Sequence, residues 1–318
     1  MVRFWNTIRQ PVKKVKMLAP IVLFVYNRKK HTEQLIRSLV ANPLASESDL
    51  IIYADGAKSE QDRKEVEEVR AYLKTIKGFK SVFLVEEEEN KGLAQNVIEG
   101  VTEVINRYGR VIVLEDDLVL APYFLTFMND ALDLYENEPK VGHIQGCDFT
   151  NSTDLPYTFL IKWTGSWGWA TWKRAWRFFN SNGAELLKEL KQRKLNKEFD
   201  FNGAYPFTRM LHKQVKGEND SWAIRWNASL FLNDILSLNV GRSLVQNRGF
   251  DGSGTHCGGG DLYGSRLWME QLPLEKIKTL EENLQARTVF RRYYKQTQGF
   301  WAKVKRRVKR TLQGDFNA

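Results

Sequence analysis

One stretch of this chain, Arg110-Val-Ile-Val-Leu-Glu-Asp-Asp-Leu-Val-Leu-Ala-Pro122, constrains its fold most: an unbroken apolar run stops at three consecutive acids and then resumes. Val111 to Leu114 have the continuous, β-branched character of a strand covered on both faces, and Pro122 opens a helical pattern through Phe124, Phe127, Met128, Ala131, Leu132 and Tyr135. Glu115, Asp116 and Asp117 are therefore expected at a strand-to-helix junction, where open α/β sheets bind ligands. Adjacent acids repel one another unless a positive charge sits among them, and a divalent cation carrying a diphosphate supplies that charge with few protein ligands. A solvated acidic turn is the plain alternative, but turns seldom set three acids between strongly apolar flanks.

Strands and helices alternate up to this run and just past it: strand 20–26, helix 32–41, strand 49–54, helix 60–76, strand 80–85, helix 92–107, strand 110–114 and helix 122–135. That order predicts an α/β fold with a doubly wound, mostly parallel sheet. Asp55-Gly56 ends the second strand in a turn, and Gly92 stands near the start of the third helix. Beyond Val141 the pattern loosens into short strands, an aromatic loop and helices near 184–199, 206–216 and 222–233. The reading divides the chain into an arm at 1–17, halves of one domain at 18–140 and 141–282, and a tail at 283–318.

A formal charge of +10 looks like a nucleic-acid signature until it is located. Five cations (Arg3, Arg9, Lys13, Lys14, Lys16) lie in the first arm and ten lie between Arg287 and Arg310, leaving the rest of the chain at about −5. Phe4, Ile8, Val12 and Val15 at one end, and Phe300, Val304, Val308 and Leu312 at the other, are set at helical spacing beside Trp5 and Trp301. Basic amphipathic segments of this kind suit an anionic membrane surface, whereas a solvated basic tail or RNA binding would use the same charges differently. We expect no nucleic-acid partner.

Two cysteines, Cys147 and Cys257, are too few for a disulfide framework, and with four histidines no spacing resembles a zinc site, so a reducing compartment is expected. The apolar stretch from Leu18 to Tyr26 follows a basic region, but Asn27-Arg28-Lys29-Lys30 ends it without a small-residue cleavage site, so it reads as the first strand. The loop after that strand lacks a Gly-x-Gly-x-x-Gly turn, and no Gly-Lys-Ser/Thr loop appears anywhere. What remains is a nucleotide site whose phosphates are held by a metal and side chains.

On these residues the chain resembles the GT-A glycosyltransferases, specifically the bacterial relatives of the N-acetylglucosaminyltransferase I type. Glu115-Asp116-Asp117 and the Leu-Val-Leu-Ala-Pro after it are similar to that family's acidic metal motif, and the likeness runs over roughly 18–260. The resemblance implies a nucleotide-diphospho-sugar transferase fold with a helical acceptor-side half. It implies that Asp117 binds Mn²⁺ or Mg²⁺, that Glu115 and Asp116 hold ribose and shape the site, that Arg28 contacts the nucleotide and that Asp55 meets the base. Read from the residues alone, Arg28 is equally a surface residue and Asp55 a turn former. Asn90, Gly92 and Ala94 match a segment beside the nucleoside, although relatives carry a histidine there.

Gly165-Ser-Trp-Gly-Trp-Ala-Thr-Trp172 resembles a family loop near donor and acceptor, which would use Trp167, Gly168 and Trp169; helical packing would instead make Trp169, Trp172 and Trp176 core anchors. Glu218-Asn-Asp220-Ser-Trp-Ala-Ile-Arg-Trp226 resembles the segment carrying the catalytic base, with Asp220 preferred, Glu218 second, and a helix cap as the structural alternative for Asp220. In the glycine-rich stretch 247–260, a mobile loop over the donor by this reading, His256 would complete the metal shell or contact the diphosphate, unless it is merely solvated.

The expected function is metal-dependent, inverting transfer of a sugar from a nucleotide-diphosphate donor, a UDP-sugar by preference, to a hydroxyl of a growing, lipid-linked glycan. It would take place on the inner, cytoplasmic face of the cell membrane with the enzyme bound peripherally. A sugar nucleotidyltransferase and a non-catalytic tether are the alternatives.

Overall fold

The computed structural model describes residues 17–249 and 265–298. Its first part follows the expected alternation: β1 (Ile21–Val25), α1 (Lys29–Val40), β2 (Asp49–Ala54), α2 (Glu60–Leu73), β3 (Ser81–Glu86), α3 (Leu93–Tyr108) and β4 (Arg110–Glu115). There follow β5 (Leu118–Leu120), α4 (Phe124–Leu134), β6 (Val141–Gln145), β7 (Thr158–Ile161), β8 (Trp169–Trp172) and α5 (Lys173–Trp176). The remainder is α6 (Gly183–Gln192), α7 (Asn196–Phe199), α8 (Phe207–Val215), α9 (Trp222–Leu232), β9 (Leu236–Val240), β10 (Val245–Asn247) and α10 (Leu284–Gln298).

The main sheet runs β3-β2-β1-β4-β8-β6-β9-β7, with β1 to β4 mutually parallel. Side-chain alternation sorts its two faces. Ile21, Leu23, Ile112 and Leu114 meet α1, α2 and α4, while Val22, Phe24, Val111 and Val113 meet α3, α5 and α9. Burial on both sides explains the unbroken apolar run of β4, each fully buried aliphatic contributing about 1.5–3 kcal/mol. A third cluster joins β7, α6, α7 and α8 to Ala286, Val289, Phe290 and Tyr294 of α10.

Several expectations are corrected. The acids do not lead straight into a helix: β5 intervenes, paired antiparallel with β10. The tryptophan-rich segment is no helix, because Trp169–Trp172 lies in the sheet, antiparallel to both β4 and β6. The helix expected over 184–199 is two, α6 and α7, with Lys194 between them at φ 56°. Residues 284–298 form a helix docked on the body. No described helix is long and apolar enough to cross a membrane.

Candidate active site

Because β1 to β4 are parallel, their C-terminal ends share one edge, and the four following loops bring Arg28, Asp55, Asn90 and Glu115–Asp117 there. Asp116 and Asp117 are 3% and 8% exposed. Arg28 lies across them: its Nη2 donates to both Asp116 Oδ1 and Asp117 Oδ2, the latter at 3.3 Å, and Nε reaches Asp116 Oδ2 at 3.4 Å. Burial opposes charge on Arg28, yet Asp116 and Asp117 together raise its pKa. One guanidinium does not balance three carboxyls. Burial, then Asp117 and Asp116, push Glu115 up to about 8, and burial chiefly pushes Asp116 to about 6. Arg28 Nη1 is buried with no hydrogen-bond partner among the described residues, an unused donor on a guanidinium that already holds two carboxylates.

Asp55 is differently placed. Its Oδ1 accepts from the backbone N–H groups of Gly56 (2.9 Å) and Lys91 (2.8 Å), and its Oδ2 from Asn90 Nδ2 and Gly92 N, both at 3.0 Å. The carboxylate is saturated by the protein, so Asp55 organises the 90–92 turn from which α3 starts; turn former is the reading its contacts support. Gly92 takes φ 77° to begin that helix, and Ala94 is buried beneath it. Arg70, unremarked in the sequence, fastens the same edge: its Nη2 donates to the carbonyls of Ala54, Asp55 and Glu87.

On the other side, Trp222 at the start of α9 stacks on Trp169 with centroids 5.2 Å apart, and its side chain acts on Glu115 to lower its pKa against the larger effect of burial. Trp169 is wholly buried, which makes it the core anchor of its segment, whereas Trp167 is half-buried and Gly168 turns the chain at φ 64°. Asp220 precedes Trp222 by two residues, its side chain 68% exposed and paired with Arg225 at 2.9 Å. It does not cap α9. Ser221 does, its hydroxyl accepting from Ile224 N. Glu218 faces outward to Lys213 at 3.2 Å. His256 and the stretch from 250 to 264 lie outside the described residues.

The model of the family described as "Glycosyl transferase family 2" matches residues 21–209, more than half of the chain. The chain belongs to this family. The transferase adopts its α/β, GT-A-type nucleotide-sugar fold, with the acids of β4 inside the matched span and Asp220 beyond it. No curated protein matches it significantly. Among solved structures it is similar to the mannosyltransferase PcManGT of Pyrobaculum calidifontis, in complex with GDP-Man and Mn²⁺, at 13% identity over 69% of this chain and 77% of that one, TM-score 0.36. It is also similar to residues 1–349 of S. aureus TarS, at 14% identity over 72% of this chain and 60% of that one, TM-score 0.40. Likenesses this distant bear on neither donor nor acceptor.

No group of three or more His, Cys, Asp or Glu side chains converges as a metal cage among the described residues. The donor set still suits a divalent cation held by Asp117, since a hard carboxylate oxygen with the remaining positions left to phosphate and water is what Mg²⁺ and Mn²⁺ favour. Gly249 passes close against this carboxylate, where a Cβ would come within 2.3 Å of Asp117 Oδ2.

Proposed function

We propose that the transferase, a relative of the N-acetylglucosaminyltransferase I type, moves a hexosyl or N-acetylhexosaminyl group from a nucleotide-diphosphate sugar, UDP-linked by preference, to a hydroxyl of a growing, lipid-linked surface glycan. The observation that carries this is the cluster of buried Asp116 and Asp117 with half-buried Glu115, faced by Arg28 with an unpartnered donor nitrogen. Carboxylates alone repel a diphosphate. Carboxylates with a bound cation and a spare guanidinium N–H attract one. When bound, Mn²⁺ or Mg²⁺ would offset the negative charge on the leaving diphosphate.

Asp220 takes the proton of the acceptor hydroxyl as its oxygen attacks the anomeric carbon. The bond from that carbon to the β-phosphate oxygen breaks, and the configuration inverts in one displacement. Arg28 stabilises charge on the departing phosphate, and Trp167 offers a flat face to a sugar ring. His256 is proposed to add to the metal or phosphate contacts. The ends of the chain are proposed to hold the enzyme on the anionic inner face of the membrane, in the cytoplasm.

A panel of nucleotide sugars with Mn²⁺, read by nucleoside-diphosphate release, tests the reading. Metal-dependent release from one donor is expected; pyrophosphate-dependent exchange would point to a nucleotidyltransferase, and no donor binding to a tether.

A further inference from the structure

β10 runs antiparallel to β5, which begins immediately after Asp117, and the register sets Asn247 opposite Leu118. The backbone N–H of Arg248 then donates to the Asp117 carbonyl at 2.7 Å, so the two chains are fastened at the acid itself. Asn247 is 6% exposed, and a buried amide must satisfy both ends. Its Oδ1 accepts from Gly249 N at 2.7 Å, and its Nδ2 points to Asp117 Oδ1 at a long 3.4 Å. Chemistry fixes that orientation, because the Gly249 N–H can only donate and the carboxylate only accept. The other carboxylate oxygen, Oδ2, meets Arg28 at 3.3 Å. Asp117 is thus gripped between an amide and a guanidinium, with the Cβ-less Gly249 passing against Oδ2.

We infer that Asn247 is a positioning residue for the Asp117 carboxylate, setting its plane for a divalent cation and diphosphate. This rests on the functional reading above and adds to it a residue outside the acidic motif. Asparagine meets the local demands where near relatives fail. Aspartate would face one carboxylate with another, leucine would orphan the Gly249 N–H, and serine would reach Gly249 but not Asp117. Outer partners of this kind typically change metal affinity 10–100-fold when removed.

Serine separates the roles, since Ser, like Asn, accepts from the backbone N–H two residues on. The experiment is titration of the full chain with Mn²⁺ in the presence of UDP or GDP, followed by the electron paramagnetic resonance of free Mn²⁺, with melting temperatures recorded alongside. Asn247→Ser should weaken Mn²⁺ binding by about tenfold or more while keeping nearly the wild-type melting temperature. Val245→Ala, which loosens the same strand pair without touching the amide, should melt earlier and bind Mn²⁺ as wild type does; if Asn247→Ser fails to fold, Asn247→Ala takes its place. Asp117→Ala separates the two readings. If it abolishes binding while Asn247→Ser matches wild type, or while Val245→Ala weakens binding equally, the role of Asn247 is overturned and the site stands. If Asp117→Ala binds Mn²⁺ normally, the site falls, and the role of Asn247 with it.

Discussion

The Trp222 ring stacks on Trp169 with centroids 5.2 Å apart, fastening the first residue of α9 to the first residue of β8. The segment carrying Asp220 is thereby packed onto β8, the sheet neighbour of β4, and the Trp222 side chain acts on Glu115 to lower its pKa. Trp222→Phe keeps an aromatic ring on Trp169 and deletes the N–H. It should lower stability by about 1 kcal/mol and kcat/KM by roughly tenfold, read by urea unfolding and steady-state kinetics. Unchanged values in both would show that this anchor does nothing.

Asp220→Asn should bind donor normally and lose turnover by about 10²-fold or more, because an amide cannot take the acceptor proton. Since Ser221 caps α9, the melting temperature should not fall. Near-normal turnover would shift the base to Glu218, which Glu218→Gln then tests in the same assay.

Two groups, half-buried Glu115 at the end of β4 and fully buried His143, set opposite pH limits on the metal-free protein. Glu115, raised from 4.5 to about 8 chiefly by burial, adds stability that is fully present below pH 4.5 and lost as pH rises through 8. Glu115→Gln should therefore flatten the fall in melting temperature between pH 5 and 8, and an unchanged slope in that variant refutes this assignment. His143 acts in the other direction. Trp226 Nε1 donates to its Nδ1 at 3.1 Å, which leaves the Nε2–H to donate to Gln145 Oε1 at 3.2 Å, a neutral ring with its tautomer fixed. Burial lowers its pKa from 6.5 to about 3, so stability is present above pH 6.5 and lost as pH falls toward 3. The slope below pH 6 should approach 1.4 kcal/mol per pH unit, checked by denaturant midpoints with and without His143→Gln.

Much of the donor side could be read in the chain because β4 is buried on both faces, a demand that writes itself as a run of Val, Ile and Leu ended by acids. The partners of those acids could not. Arg28 joins Asp116 and Asp117 through the parallel pairing of β1 with β4, and no local pattern records that meeting. Asp55 reads as a base contact or a turn former with equal ease, and only the structure shows the four internal donors with which it makes the turn. Trp169–Trp172 shows no period of two, since β8 is covered on both faces between β4 and β6 and every one of its side chains is buried. Short β5 and β10 were invisible because three residues hold no period. In α10 the arginines are interleaved with Ala286, Val289, Phe290 and Tyr294, whose three- and four-residue spacing marks a buried face.

The packing of α10 against the body fixes how membrane attachment must be tested. Deleting 287–318 would remove Val289, Phe290 and Tyr294 from the third core cluster, where loss of one buried aromatic costs about 3–5 kcal/mol, so failure of such a protein would say nothing about membranes. Ending the chain at Gln298 spares α10 and removes Trp301 with six cations from Lys303 to Arg310. Each cation near anionic headgroups contributes on the order of 1 kcal/mol, screened over about 8 Å at physiological salt. The shortened enzyme should therefore lose flotation with anionic vesicles yet keep its melting temperature and its turnover on a soluble acceptor. Flotation of the full chain should weaken with salt and disappear on neutral vesicles. Equal flotation of both proteins would move the anchor to Arg3–Lys16, and tight, salt-sensitive RNA binding by the full chain alone would replace the membrane with a nucleic acid.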